Sequence, residues 1–173
     1  MLRTAAGRTE LVDGHGRVVN DLRVSVTPRC NLRCTYCDPM GLGHDEPSGT
    51  LTTEAFAVVL EAASRLGMRS VRFTGGEPLL RKDLPELVRL ATSLPGVEDV
   101  AVTTNATALA QRLPALLAAG LRRVNVSLDA VDPEVFAIAT GGGDVRQVWR
   151  GIHAAEAAGL TPVKLNAVVV RGV

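Results

Sequence analysis

The sequence predicts an α/β fold, a partial (β/α) barrel with about five parallel strands. Three observations predict it. From residue 22 onward, short segments with period-two apolar residues alternate with longer segments of helical period. Helix start and stop residues stand at the boundaries between them. The strand segments alternate apolar with polar residues, whereas parallel strands covered on both faces usually run apolar throughout.

The first strand is read at 22–27, and a cysteine-rich loop follows it. The next helix, 53–66, can be capped by Thr52. The second strand covers 70–74. A helix over 84–94 tolerates Pro85 in its first turn, and Asp83 and Glu86 have the spacing of a capping box. The third strand covers 99–104; the helix after it, 108–119, stops before Gly120. The fourth strand covers 123–128, and Asp132-Pro133-Glu134 should start a short extra helix. The last helix, 145–158, stops before Gly159, and a fifth strand covers 163–170. This order belongs to a parallel sheet with right-handed crossovers. By size, residues 1–173 form one domain with enough chain for a core.

The polar half of each strand carries a second message. Leu22, Val24 and Val26 alternate with Arg23, Ser25 and Thr27; Val71 and Phe73 alternate with Arg72 and Thr74. Val124, Val126 and Leu128 alternate with Asn125, Ser127 and Asp129, and Val163 and Leu165 with Lys164 and Asn166. The helices need an apolar surface, so the apolar set faces them and the polar set lines the concave side. A packed barrel interior would not tolerate that set. The pattern implies an open polar lumen that holds a polar ligand. Arg23, Arg72 and Lys164 share this parity, whereas acidic candidates for the lumen, Glu77 and Asp129, are few. Buried cations need partners, and an anionic ligand such as a triphosphate would suit three on one face; snorkelling of the long side chains to the barrel rim is the rival reading.

Composition narrows the function classes. Apolar residues make up 46% of the chain and aromatic ones 3%, so the core must be built of Ala, Val and Leu. A net charge of +1 argues for neither nucleic acid nor a membrane surface as partner. No apolar run reaches the ~20 residues of a membrane span, and the first residues lack a signal-peptide core. Free cysteines fit a reducing cytoplasm. Phe56 and Phe136 read as core, Trp149 as core or helix–sheet packing, and His153 as helix surface.

The three cysteines of the chain stand together, at Cys30, Cys34 and Cys37. They cannot all pair, and there is no fourth for a Cys₄ zinc site. Thiolates at this spacing suit an iron–sulfur cluster, and three ligands on a four-iron cube leave one iron open for reaction. A three-thiolate zinc site completed by His44 or His15 is the rival reading.

Cys30-Asn31-Leu32-Arg33-Cys34-Thr35-Tyr36-Cys37 resembles the signature of radical S-adenosylmethionine (SAM) enzymes, and Gly75-Gly76-Glu77-Pro78 resembles a second motif of that superfamily. Asp21–Thr27, Thr103-Thr104-Asn105, Arg123–Ala130 and Val163-Lys164-Leu165-Asn166 stand in the order and spacing of the GTP 3′,8-cyclase family of molybdenum cofactor biosynthesis. The resemblance covers roughly residues 14–173.

It implies a radical SAM core of six strands, five of them present. It implies a [4Fe-4S] cluster on Cys30, Cys34 and Cys37, with SAM at Tyr36, Gly75, Gly76, Glu77 and Ser127. Arg23, Arg72, Thr103 and Lys164 become GTP contacts. Reductive cleavage of SAM would start cyclisation of GTP, with electrons from a low-potential donor of flavodoxin or ferredoxin type. A homodimer is a candidate assembly. The match departs at Asp38, where an apolar Met is usual, at Ala106, where Gly is usual, and at Thr27-Pro28-Arg29. The family also continues beyond Val173 with a second cluster on three more cysteines and a Gly-Gly tail. Two rivals stand beside this reading: another radical SAM enzyme, such as a peptide-maturing one, and a cluster- and SAM-binding fragment without turnover.

Overall fold

The computed structural model describes residues 1–5, 8–37 and 51–171. Two sheets are present. The first is antiparallel, β1 (Leu2–Ala5), β2 (Arg8–Val12) and β3 (Val18–Val19), in that order. The second holds β4 (Asp21–Ser25), β5 (Ser70–Thr74), β6 (Asp99–Thr104), β7 (Arg123–Ser127) and β8 (Lys164–Asn166), all parallel and neighbours in chain order. The connections carry α1 (Thr53–Arg65), α2 (Leu84–Ser93), α3 (Leu109–Ala118), α4 (Pro133–Thr140) and α5 (Val145–Ala157). A strand order that never reverses keeps successive right-handed crossovers on one side of the sheet. The helices therefore cover one face, and the other stays open.

The apolar alternation produces that asymmetry. Val24, Val71, Phe73, Val100, Val102, Val124 and Val126 are buried in one core with Leu60, Leu87, Leu113 and Val148 from the helices. Phe56 and Phe136 join that core, Trp149 packs at its edge, and His153 lies exposed on α5, stacked on Trp149. Helix ends follow the expected chemistry in most places. Thr52 accepts a hydrogen bond from the Ala55 N–H at 3.3 Å, and Asp132 accepts from Glu134 and Val135 at 2.9 and 3.0 Å. Gly120 and Gly159 follow α3 and α5 at φ of +95° and +80°.

Three expectations are corrected. The N-terminal sheet lies before residue 22, where no strand was expected; Asp13 bends its hairpin by accepting from the His15 and Arg17 N–H groups at 2.8 and 3.0 Å. The fifth parallel strand spans Lys164–Asn166 and not 163–170. Its partner β7 ends at Ser127, and past Leu128 N–H, which donates to the Asn166 carbonyl at 2.9 Å, the ladder goes no further among the described residues. Asp83 is not a capping box. Both its oxygens are taken by the Arg81 guanidinium, at 2.9 and 2.8 Å, and the Thr53 hydroxyl also donates to it.

Candidate functional site

The polar residues of the motifs lie at or near the carboxyl rim or on the open face of the parallel sheet; ligands of parallel α/β folds bind at that rim. The cysteine loop leaves β4. Its first residues extend the β4–β5 ladder beyond both strands: Val26 N–H donates to the Thr74 carbonyl at 2.9 Å, Gly76 N–H to Thr27 at 2.7 Å, and Glu77 N–H to Arg29 at 2.7 Å. Glycine is required here by space. A Cβ on Gly75 would stand 2.4 Å from the Thr27 carbonyl oxygen, and one on Gly76 would stand 2.3 Å from that of Arg29. The two sequence motifs are thus two edges of one seam.

Glu77 sits beneath that seam, 1% exposed. One carboxylate oxygen accepts from Leu79 N–H at 2.9 Å and from the Thr104 hydroxyl at 2.6 Å, and the other from Asn105 N–H at 2.7 Å. The carboxylate ties the Gly-Gly turn to the end of β6. Burial raises its pKa above the usual carboxylate range against the pull of these donors. Both oxygens already have protein partners, so the geometry describes a bracing group.

The cysteine loop has two further anchors. Arg33 and Thr35 N–H groups donate to the carbonyls of Thr140 and Ala139 at the end of α4, at 2.9 and 3.0 Å. The Tyr36 hydroxyl donates to Asp129 at 2.7 Å, and Asp129 also accepts from Val168 N–H at 3.0 Å. Burial, and then the Asp129 hydrogen bond, pushes the Tyr36 pKa up.

Cys30 and Cys34 are half-buried and Cys37 is exposed, and none is in a disulfide. Burial raises the Cys30 thiol pKa and pushes Cys34 up to about 11, where the nearby Cys37 adds to the effect. Thiolates, not thiols, ligate metal, so a bound metal would hold these sulfurs deprotonated. Among the described residues, no three His, Cys, Asp or Glu side chains gather closely enough to hold one metal ion. His44 and Asp38 lie outside the described residues, and His15 belongs to the N-terminal hairpin. Three unpaired thiols on one braced loop, at the rim of a parallel sheet, fit the thiolate set of an iron–sulfur cluster.

The open face carries the charged residues in rows. Arg23 stands opposite Arg72, Arg72 opposite Ala101, and Ala101 opposite Arg123. Nearer the rim, Thr103 and Lys164 flank Asn125, and Ser127 pairs with Asn166. The expected scarcity of acids on this face is corrected. Asp21 and Asp99 share its parity: Arg72 meets Asp21 at 3.3 Å, and Arg123 forks onto Asp99, with its Nε at 2.9 Å. The Arg123 hydrogen bond lowers the Asp99 pKa. These pairs do not saturate the face. The Arg72 Nε is buried with no hydrogen-bond partner among the described residues, and Lys164 is exposed. A cleft of about 420 Å³ opens just past the end of β4, lined by Val26, Thr27, Leu51 and Arg81 among others. Its Arg81 is occupied by Asp83 and by the Val26 and Leu51 carbonyls, at 2.9 and 3.1 Å, above the Phe56 ring.

The family model of the radical SAM superfamily matches residues 24–173. The chain belongs to the radical SAM superfamily. It is 48% identical over 161 residues to a GTP 3′,8-cyclase of Pelotomaculum thermopropionicum, covering 92% of this chain and 50% of that one. A probable GTP 3′,8-cyclase of Archaeoglobus fulgidus is 45% identical over 163 residues, covering 94% of this chain and 53% of the relative. The chain thus spans about half the length of the curated relatives it matches. Among solved structures, SuiB of Streptococcus suis bound to S-adenosylmethionine superposes with a TM-score of 0.72 at 22% identity, over 89% of this chain and 35% of that one. HydG, a maturase of the [FeFe]-hydrogenase, gives 0.71 at 15% identity, over 86% and 34%. At these identities the likeness is one of fold, and it agrees with a partial barrel of the radical SAM type. No helix among the described residues is long and apolar enough to cross a membrane.

Proposed function

We propose that this chain is the radical-generating part of a GTP 3′,8-cyclase, acting in the cytoplasm on GTP with a [4Fe-4S] cluster and SAM. The observation that carries the reading is the union of two features on one sheet: a braced three-thiol loop at the rim and a basic, open face beside it. The 42–48% identity to named cyclases supports the substrate.

Cys30, Cys34 and Cys37 hold the cluster as thiolates. When bound, the cluster supplies the electron that opens a carbon–sulfur bond of SAM. The chain's own work is binding and orientation. The backbone of Gly75 and Gly76, the Ser127 hydroxyl and the Tyr36 backbone receive SAM at the rim. Glu77 contributes by bracing the turn that carries the glycines. Arg23, Arg72, Thr103 and Lys164 receive the triphosphate, the arginines through their planar forks and Lys164 as a point charge. The orphaned Nε of Arg72 is a donor ready for such a ligand. A flavodoxin- or ferredoxin-type protein would be the electron donor, and a homodimer is a candidate assembly.

Anaerobic reconstitution with iron counting, followed by a SAM-cleavage assay with and without GTP, tests the reading. Uptake of about four irons per chain is expected, abolished by Cys30→Ala, Cys34→Ala or Cys37→Ala. A tight one-zinc complex that takes no iron would overturn it. In a full-length relative, SAM cleavage that GTP leaves unchanged would overturn the substrate.

A further inference from the structure

Asn105 closes a ring of side-chain hydrogen bonds beside the cysteine loop. Its Nδ2 donates to Asn31 Oδ1 at 3.0 Å, Asn31 Nδ2 donates to the Thr107 hydroxyl at 2.9 Å, and that hydroxyl donates back to Asn105 Oδ1 at 2.8 Å. Each member both gives and receives. Thr107 N–H, which can only donate, also points at Asn105 Oδ1, at 3.1 Å. This fixes which end of the Asn105 amide is oxygen and which is nitrogen. The ring uses one of the two Nδ2 hydrogens. The nitrogen stands 3.9 Å from the Cys30 sulfur, at the long end of the range for sulfur acceptors. Leu32 N–H donates to the same sulfur at 3.4 Å. The Asn105 backbone is held in turn by the buried Glu77 carboxylate at 2.7 Å.

We propose that Asn105 is a positioning residue that aims an N–H at the Cys30 sulfur and makes the cluster easier to reduce. The inference rests on the cluster assignment above. Reduction adds negative charge to the cluster and its thiolates. A hydrogen bond into a thiolate stabilises the charge-rich reduced state more than the oxidised one, and so raises the potential. The ring keeps the amide from turning its oxygen toward the sulfur, which would have the opposite effect. Asn31, next in sequence to Cys30, couples this orientation to the ligand it serves.

The test is a redox titration of the reconstituted chain, followed by the paramagnetic signal of the reduced cluster, alongside iron counting. Asn105→Leu should keep its iron and shift the midpoint to a more negative potential, by up to about tenfold in the reduction equilibrium, or about 59 mV for one electron. If the Leu side chain hinders assembly, Asn105→Ala should show the same direction of shift. An iron-loaded variant of either kind with the wild-type midpoint would overturn the proposal. Loss of iron from both variants, with native circular dichroism, would also overturn it, since Asn105 would then be needed for assembly. A wild-type chain that takes up no iron would sink the cluster assignment itself, and that is measured first.

Discussion

Replacing Glu77 by alanine tests whether the seam between the two motifs depends on one buried carboxylate. The substitution removes an acceptor from three donors. Leu79 N–H is fully enclosed and has no water to turn to. Asn105 N–H is only partly enclosed, so part of its loss is recovered. The Thr104 hydroxyl keeps its role as acceptor for Ala106 N–H, at 2.9 Å, and loses only its own donation. At about 1–3 kcal/mol per buried orphan, with the first near the top of that range and the others near the bottom, the sum is about 3–5 kcal/mol. That is a large share of the 5–15 kcal/mol typical of a domain. Glu77→Gln should cost roughly half as much, because one oxygen survives while the new NH₂ faces the Asn105 N–H. Urea unfolding of the metal-free chain, with an unchanged slope, measures both. A loss below about 1 kcal/mol for alanine, or a glutamine variant as damaging as alanine, would refute this reasoning.

Three further outcomes follow from other parts of the molecule. Gly76→Ala should prevent iron uptake, because its Cβ would meet the backbone oxygens of Arg29 and Pro28 at 2.3 and 2.5 Å; Gly14→Ala, which meets nothing within 4 Å, should be silent in the same assay. The Asp83 pKa is lowered to about 2, chiefly by its hydrogen bond to Arg81. Its stabilising effect is present above the unfolded value of 3.8 and lost as pH falls toward 2, so in Asp83→Asn the urea midpoint should fall less over that interval. Arg23→Glu and Lys164→Glu, made in a full-length relative, should weaken GTP binding far more than SAM binding in calorimetric titrations; equal loss of both would indicate damage to the fold.

Much of this arrangement could be read from local pattern. Alternation along Arg23–Ser25, Arg72–Thr74 and Asn125–Ser127 is enough to separate a helix-facing side from an open one, because strand geometry leaves no third option. What could not be read depends on pairing at a distance. The ring of Asn31, Asn105 and Thr107 joins residues 74 and 76 positions apart, and nothing in either segment announces the other. Asp21 lies one residue before the strand read at 22–27, and Asp99 opens a strand whose next lumen position is Ala101, so neither announces itself in the sequence as a partner of Arg72 or Arg123. The apolar run Ala167–Val170 has high strand propensity, yet it lies past the end of its partner, and Val169 is 94% exposed. The N-terminal hairpin did leave a signal, since Asp13-Gly14 stands between the apolar pairs Leu11-Val12 and Val18-Val19. Gly75 and Gly76 carry an additional reason for being glycine, which is the backbone of Thr27–Arg29 pressed against them.

The contact between the cysteine loop and α4 makes each the support of the other. A helix of eight residues is too short to persist alone in water. Its last carbonyls are received by the backbone of Arg33 and Thr35, inside the span between the first and last thiols. Helix and loop should therefore open and close as a unit. In hydrogen exchange, the amides of α4 should slow together with those of the loop when metal binds, although they lie about a hundred residues further along the chain. A local event at three sulfurs would be felt as order in a distant stretch of sequence.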